Sequence, residues 1–180
     1  MTSEETVVYF SVAHFHGQPM YMAKTNQGLC YIGSPNAPFA ELETWVTKKF
    51  PQVHLVQSEE ALQSEVLEIT EFMQGKRDNF TVPIHPIGTD FQKEVWQALQ
   101  SIPYGKTKTY TDIAAQIGRP QTIRAVGTAI GANPLLMIIP CHRVLAKDGG
   151  LAGFRAGVEM KSALLELESS NPELIYKIKK

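Results

Sequence analysis

A proline-containing stretch near the middle of the chain limits what this sequence can fold into. Residues 78–89 include Pro83, Pro86 and Gly88, and they separate two segments with regular apolar periodicity. Proline lacks a backbone donor and glycine interrupts regular structure, so neither a helix nor a strand is expected to cross this stretch. The 180 residues are therefore predicted to form two domains, 1–85 and 86–170, followed by a flexible tail at 171–180.

The first half alternates between strand and helix patterns. Three short β-branched or aromatic runs are separated by turn residues and predict an antiparallel meander. They lie at Val7–Phe15, Pro19–Lys24 and Leu29–Ile32. A helix, a strand and a second helix are predicted at Leu42–Lys49, Val53–Gln57 and Leu62–Met73. The pattern predicts an α/β domain.

Capping sequences open two helices in the second half. Thr89 and Gln92 have the spacing of a capping box, and Thr109 and Asp112 have the related spacing ahead of a second helix. The second helix ends at a Gly118-Arg119-Pro120 turn, and a helical pattern resumes at Thr122–Ile130. Two short helices joined by a tight turn are typical of a helix-turn-helix.

The region after this helix pair predicts three further elements. The apolar run Leu135–Ile139 predicts a buried strand. The sequence Asp148-Gly149-Gly150 predicts a chain reversal like a hairpin wing. A last helix is predicted from Val158 to Glu168. The second half is therefore expected to be mainly α.

The charges are distributed unevenly along the chain. Residues 1–85 hold 5 Lys and Arg against 10 Asp and Glu, whereas residues 86–180 hold 12 against 8. Between Gly105 and Lys147 the one acidic residue is Asp112. The basic residues of that segment are Lys106, Lys108, Arg119, Arg124, Arg143 and Lys147. Contact with the phosphates of a nucleic acid is the natural use of such a segment.

Composition also excludes several classes of protein. No stretch approaches the roughly 18 apolar residues of a membrane span, and the first residues lack the features of a secretion signal. A cytoplasmic protein with no membrane partner is expected. The two cysteines, Cys30 and Cys141, have no disulfide or zinc spacing, and His14, His16 and His85 do not complete a recognisable zinc site. No metal is expected.

The tetrapeptide Pro140-Cys141-His142-Arg143 follows the predicted strand directly and sets a thiol beside an imidazole and a guanidinium. Neighbouring positive charge or a basic partner lowers the pKa of a thiol from about 8.5 towards neutrality and raises the thiolate fraction. Cys141 is therefore predicted to be a nucleophile. The alternative is that Cys141 packs as a small buried hydrophobe.

The segment from Asn133 to Val144 resembles the active-site signature of the O6-alkylguanine-DNA alkyltransferases. The resemblance extends in order from Phe91 to Glu168 and is weak over residues 1–85. It implies a fold of α/β plus mainly α class. The expected parts are an N-terminal ribonuclease H-like α/β domain and a C-terminal winged helix-turn-helix alkyltransferase domain.

The resemblance also implies a reaction. A methyl or larger alkyl group on O6 of guanine in double-stranded DNA is transferred irreversibly to Cys141, with no metal or redox cofactor. The target base must first be rotated out of the duplex. The thioether product has no good leaving group, so each molecule is expected to react once. The expected protein is a monomer; activity on O4-alkylthymine and cooperative binding along DNA are left open.

Five residues receive catalytic roles from the resemblance. Cys141 accepts the alkyl group, His142 draws the thiol proton through a bridging water, and Glu168 orients His142. A carboxylate partner fixes the imidazole tautomer and favours the imidazolium. Tyr110 gives a proton to the departing base, and Asn133 holds the turn ahead of Cys141. The alternatives are a solvated Glu168, a core Tyr110 and an ordinary helix stop at Asn133.

Further residues are implied to contact DNA or to line the pocket. Arg124 enters the base stack in place of the extruded base, because a guanidinium can both stack and hydrogen-bond. The expected DNA contacts are Thr122, Arg124, Ala125, Gly127 and Arg143. The small residues of this helix suit the narrow minor groove, although they would equally permit tight helix packing.

The pocket is expected to be formed by Val144, Phe154, Arg155 and Lys161. The carbonyls of Cys141 and Val144 would receive the guanine amino group, and the amide of Phe154 would face the alkylated oxygen. Lys161 would support the loop that carries Phe154. The family usually has tyrosine in place of Phe154 and often a small residue in place of Arg155.

Two other functions remain open from the sequence. A non-catalytic lesion sensor or winged-helix DNA-binding regulator could use the same fold, although the acceptor cysteine favours a reaction. A Cys-His hydrolase would use the same pair of side chains. On an extended strand Cys141 and His142 would project to opposite sides, which disfavours direct proton exchange.

Overall fold

Two units make up the chain in the computed structural model, which describes residues 5–151 and 153–169. By backbone contacts they span residues 1–87 and 88–180. The tail predicted at 171–180 lies outside the described residues. Within the described part of the chain, no helix has the length and apolar character needed to cross a membrane.

The first unit is built on a four-stranded sheet with two helices. Its elements are β1 (Thr6–Phe15), β2 (Gln18–Thr25), β3 (Gly28–Ile32), α1 (Phe39–Lys49), β4 (Val53–Gln57) and α2 (Gln63–Met73). The strand order is β3-β2-β1-β4. The first three strands pair antiparallel and β4 runs parallel to β1. The predicted meander, both helices and the fourth strand are confirmed.

Buried and exposed side chains alternate along much of β1, and the buried ones contribute to a core that includes residues of α1. Val8 and Ala23 pack with Leu42 and Val46 of α1, and Cys30 lies in the same cluster. All five residues of β3 are buried, so both faces of that strand are covered.

Part of the proline-containing stretch at 78–89 is an ordered edge of the first unit. The backbone N–H of Leu29 donates to the carbonyl of Pro83 at 2.9 Å, and that of His85 donates to Leu29 at 2.7 Å. Gly28 permits this contact, because it has a φ of +144° and a Cβ there would lie 2.6 Å from the Pro83 oxygen. These two bonds make a single isolated parallel bridge between Leu29 and Ile84.

The second unit is mainly helical. Its elements are α3 (Asp90–Gln100), β5 (Lys108–Thr109), α4 (Tyr110–Gln116), α5 (Ile123–Gly131), β6 (Val144–Leu145) and α6 (Val158–Glu168). Both predicted capping boxes are confirmed: Thr89 caps α3 with Gln92, and Thr109 caps α4 with Asp112. The last helix is confirmed at its predicted bounds. Together the two units give a mixed α/β fold.

The turn between α4 and α5 is a Schellman motif. Gly118 has a φ of +73° and its N–H donates to Ala115, while the N–H of Arg119 donates to Ala114. The predicted pair of short helices joined by a tight turn is confirmed. Helix α3 packs against α5, where the Trp96 indole donates to the Ala129 carbonyl at 2.8 Å.

The strand predicted at Leu135–Ile139 is wrong. The segment is buried but folds into successive tight turns, in which Ile138 donates to Leu136 and Ile139 donates to Leu135. Met137 lies in the left-handed region with a φ of +72°, which is incompatible with a strand. Apolar runs of this length indicate burial, but they do not fix the backbone conformation.

The predicted wing forms only in part. The chain reverses as expected, because Ala146 donates to the Gly150 carbonyl at 3.0 Å and Gly149 has a φ of +83°. However, β6 pairs in parallel with β5 rather than with a returning strand. Residues 146–151 contain no second strand of a hairpin.

Candidate active site

A tight turn followed by a short 3-10 helix, Cys141–Arg143, presents Cys141. Pro140 has φ −80° and ψ 64°, which is an inverse γ-turn, and the N–H of Cys141 donates across it to Ile139 at 2.7 Å. The Cys141 side chain is 3% exposed. The predicted placement on an extended strand is wrong, and so is the argument from opposite strand faces against direct exchange with His142.

Asn133 holds this turn through three hydrogen bonds. Its Nδ2 donates to the Ile139 carbonyl at 2.7 Å and to Cys141 Sγ at 3.1 Å, while its Oδ1 accepts from the N–H of Leu135 at 2.9 Å. Asn133 is itself buried. The amide therefore both shapes the turn and contacts the thiol.

Glu168, at the end of α6, accepts hydrogen bonds from three residues in two separate segments. Its Oε1 accepts from His142 Nε2 at 2.6 Å, and its Oε2 accepts from the N–H of Gly105 at 3.3 Å. Arg143 donates from Nε and from Nη2 at 2.8–3.1 Å. Glu168 and His142 are both fully buried, so the solvated alternative for Glu168 is wrong.

The structure contradicts the predicted contact of Arg143 with DNA. Arg143 is 6% exposed, and its Nη1 donates to the Ile102 carbonyl at 2.7 Å in addition to the pair with Glu168. A buried guanidinium held by a carboxylate and a carbonyl cannot reach a phosphate without breaking that pair. Its role is to bind the 3-10 helix to α6 and to the chain after α3.

Tyr110 is placed beside the site by pairing that the sequence analysis missed. In the parallel pair of β5 and β6, Lys108 lies opposite Val144 and Thr109 lies opposite Leu145. Tyr110 follows directly and is half-buried. A Cβ on Gly127 would lie 3.8 Å from the Tyr110 ring, so the backbone of α5 passes this ring closely.

Val144 and Lys161 form a buried contact. Lys161 Nζ donates to the Val144 carbonyl at 2.6 Å, and Lys161 is fully buried. The Cys141 carbonyl also receives a donor, the N–H of Val144. Both carbonyls have a second lone pair with which they could accept a base amino group. Lys161 therefore ties α6 to the residue that follows the 3-10 helix.

The loop before α6 carries Phe154 and Arg155, both half-buried. The N–H of Gly157 donates to the Phe154 carbonyl at 2.9 Å and closes this loop at the start of α6. Arg155 Nε donates to the Asn133 carbonyl at 3.1 Å. Arg155 therefore connects the loop to the residue that contacts the thiol.

The protonation of Cys141 differs from the prediction. Burial raises the pKa of the thiol, and this outweighs the hydrogen bond from Asn133 and the charges of Arg155 and Lys161, which lower it. The prediction that the pKa of Cys141 is lowered towards neutrality is therefore wrong. Burial and the nearby thiol also raise the pKa of Tyr110, which keeps its hydroxyl protonated.

At pH 7 the buried histidine is neutral, whereas its carboxylate partner is ionised. Burial lowers the pKa of His142 despite the hydrogen bond to Glu168, so the imidazole is neutral at pH 7. Burial alone would raise the pKa of Glu168, but its bonds to His142 and Arg143 hold that pKa at about 2. An ionised Glu168 can only accept, so the proton of neutral His142 lies on Nε2 and Nδ1 is the basic nitrogen. Burial also lowers the pKa of Lys161 to about 8.

Helix α5 exposes the residues predicted to contact DNA. Arg124 and Ala125 are exposed, Thr122 and Gly127 are half-buried, and Val126 faces the core. Lys106, Arg119 and Lys147 are exposed elsewhere in the unit, although Arg119 pairs with Glu94 at 3.2 Å. The basic segment is therefore available to a polyanion except at Arg143.

The other cysteine and the other four histidines of the chain belong to the first unit. Cys30 is buried and its thiol lies 3.4 Å from the Ala23 carbonyl, and burial raises its pKa to about 12. His85 Nδ1 lies 2.8 Å from the Thr25 hydroxyl. Among the residues that the structure describes, no group of three or more His, Cys, Asp or Glu side chains is arranged to hold a metal.

Comparison with known proteins gives consistent matches. Residues 90–170 match the family described as 6-O-methylguanine DNA methyltransferase, DNA binding domain. An inducible methylated-DNA–protein-cysteine methyltransferase of Bacillus subtilis is 49% identical, over 93% of this chain and 94% of that protein. A crystal structure of Mycobacterium tuberculosis O6-methylguanine methyltransferase is similar with a TM-score of 0.77 and 34% identity, covering 91% of this chain and 93% of that one. A crystal structure of the M. tuberculosis protein OGT in complex with DNA has a TM-score of 0.75 at 33% identity, covering 95% of this chain and 98% of that one.

Proposed function

This chain belongs to the methylated-DNA–protein-cysteine methyltransferase family, and from that membership we propose how its site repairs alkylated DNA. The reaction is transfer of an alkyl group from O6 of guanine to the sulfur of Cys141. The observation that supports the assignment best is the contact of Asn133 Nδ2 with Cys141 Sγ, one residue from the buried His142–Glu168 pair. An arbitrary buried cysteine would not be expected to have this set of partners.

The chemical step balances without a cofactor. The Cys141 proton passes to His142 Nδ1 through a bridging water, and Glu168 stabilises the imidazolium. The sulfur then forms a bond to the alkyl carbon as the bond from that carbon to O6 breaks. The electron pair leaves with the guanine, which takes a proton from the Tyr110 hydroxyl. The His142 imidazolium then returns its proton through solvent to the Tyr110 phenolate. Overall, the thiol proton and the alkyl group exchange places, and the thioether ends the reaction.

Recognition of DNA is proposed for the exposed side of α5. Arg124 would take the place of the extruded base, and Thr122, Ala125 and Gly127 would allow close approach to the minor groove. The exposed basic residues would contact phosphates, which carry no sequence information. Duplex DNA bearing an alkylated guanine is therefore the proposed partner, bound by a monomer.

The fold supports a finer assignment of the two units. For the first we propose a ribonuclease H-like domain, because three antiparallel strands are followed by β4 parallel to β1. For the second we propose a winged helix-turn-helix domain that binds DNA and reacts, with a reduced wing at 146–150. Its extent is proposed as 86–170. A cytoplasmic location stays a prediction.

Intact-mass measurement tests both the reaction and the nucleophile. The protein is incubated with an excess of duplex containing one O6-methylguanine, and its mass is followed over time. We expect a gain of one CH2 group per molecule, located on the peptide containing Cys141, with no further increase. Cys141→Ala should give no gain, whereas Cys30→Ala, which changes the other buried cysteine, should react fully.

Three results would refute the proposal. The first is demethylation that continues beyond one equivalent of DNA, because it would require regeneration of the thiol. The second is methyl transfer by Cys141→Ala at the wild-type rate. Binding of the modified duplex with no loss of methyl would instead support the sensor alternative.

A further inference from the structure

Arg155 brings a permanent positive charge close to the reacting sulfur. Its Nε donates to the Asn133 carbonyl at 3.1 Å, and Asn133 Nδ2 donates to Cys141 Sγ at 3.1 Å. One residue, Asn133, thus links the guanidinium to the nucleophile, through its backbone carbonyl and its side-chain amide. The guanidinium of arginine is always charged in proteins.

The effect of this charge reaches the sulfur itself. The charges of Arg155 and Lys161 both lower the pKa of the Cys141 thiol, against the larger opposing effect of burial. The two cations occupy different positions: Lys161 is fully buried against the Val144 carbonyl, whereas Arg155 is half-buried on the loop with Phe154. Arg155 is therefore the cation on the loop expected to wall the pocket.

A substituent on the alkyl carbon must lie close to this charge. During transfer that carbon bonds to Sγ, so the next atom of the alkyl group is only two bonds from the sulfur. A field that stabilises an anion at Sγ also stabilises an anionic group there, and the effect is strong where water is excluded. A Coulomb interaction of this kind does not depend on an open hydrogen-bond position on the guanidinium.

We infer that Arg155 is a specificity-determining residue that favours alkyl groups carrying a carboxylate, such as carboxymethyl on O6 of guanine. The inference rests on the proposed alkyl transfer. The bond from Sγ to the methylene carbon forms, the bond from that carbon to O6 breaks, and its electron pair leaves with the guanine. The carboxylate is unchanged and remains on the cysteine as an S-carboxymethyl group.

Three duplexes test the inference, carrying O6-methyl-, O6-carboxymethyl- or O6-carbamoylmethylguanine at the same position. The carbamoylmethyl group is nearly the same size as carboxymethyl but neutral. The quantity of interest is the ratio of the transfer rate constants for carboxymethyl and carbamoylmethyl. Comparing this ratio between variants cancels the intrinsic reactivity of the two groups. The full chain is used as wild type, Arg155→Gln and Arg155→Lys.

We expect Arg155→Gln to lower the ratio about tenfold and Arg155→Lys to keep it within about threefold of wild type. The inference is overturned if Arg155→Gln leaves the ratio within twofold of wild type, or if both variants lower it equally, since charge would then not be the cause. The circular dichroism spectrum and the urea-unfolding midpoint of each variant confirm that it is folded. Absence of methyl transfer by the wild type would refute the proposed function itself, which separates the two failures.

Discussion

Replacement of Glu168 by glutamine tests the buried cluster that supports the active site. The substitution keeps the size and shape of the side chain but removes its charge. Arg143, which is 6% exposed and donates to Glu168 from Nε and Nη2, would lose its counterion. One carboxylate oxygen would also become an amide donor, facing either His142 Nε2 or the N–H of Gly105.

Two independent routes give the size of the effect. Removing one partner of a buried ion pair costs about 3–5 kcal/mol, because the other charge stays buried. The pKa of Glu168 is about 2, whereas a free glutamate titrates near 4.5. That difference corresponds to about 3 kcal/mol of folding free energy above pH 4.5. A depressed acid pKa stabilises the fold at neutral pH, and this contribution is lost as the pH falls from about 4.5 to about 2.

Urea unfolding measures the prediction directly. At pH 7 we expect Glu168→Gln to lower the free energy of unfolding by about 3–5 kcal/mol. The difference from wild type should shrink as the pH approaches 2. Glu166→Gln is the matched control, because Glu166 is exposed on the same helix, and it should change stability by less than about 0.5 kcal/mol. A loss below about 1 kcal/mol in Glu168→Gln, or a difference independent of pH, would refute the reasoning.

Two further predictions concern DNA and a buried cation. Arg124→Ala should slow methyl transfer from duplex DNA at least about tenfold, because its exposed guanidinium is proposed to replace the extruded base, with a smaller effect on single-stranded DNA. Equal slowing on both substrates would contradict that role. For Lys161, whose pKa is lowered to about 8, the unfolded state binds more protons between pH 8 and 10.5. Wild-type stability should therefore rise by up to about 3 kcal/mol relative to Lys161→Met over that range. Exposed Lys147→Met should show no such divergence, and parallel curves for Lys161→Met and wild type would count against the buried charge.

Short sequence patterns predicted most of the fold, because each of the elements they predicted is stabilised by residues close to it in the chain. The capping boxes at Thr89 and Thr109 satisfy their own helix N-termini, so spacing alone identifies them. The glycine after α4 adopts the left-handed conformation that ends a helix. The meander, the helix pair and the final helix follow from periodicity of the same kind. These elements required no knowledge of distant residues.

The errors arose where a short sequence pattern does not determine the conformation or the partners of its residues. Leu135–Ile139 has the composition of a strand, but Asn133 bonds to Ile139 and draws the segment into turns. The charge of Arg143 suggested DNA contact, and only the position of Glu168, 25 residues later in the chain, shows that this charge is neutralised internally. The pairing of β5 with β6 was missed because each strand has two residues.

Burial of Cys141 has a consequence for a protein whose nucleophile can react once. Its raised pKa keeps the free protein in the thiol form, which is a weak nucleophile. The groups that favour the anion, Asn133, Arg155 and Lys161, become effective only when the thiol proton has an acceptor, and His142 is neutral and held by Glu168 for that purpose. A base in the pocket would exclude water and strengthen each of these interactions. The proposed reaction therefore makes thiolate formation depend on the bound lesion, so that the sulfur is protected until a substrate is present.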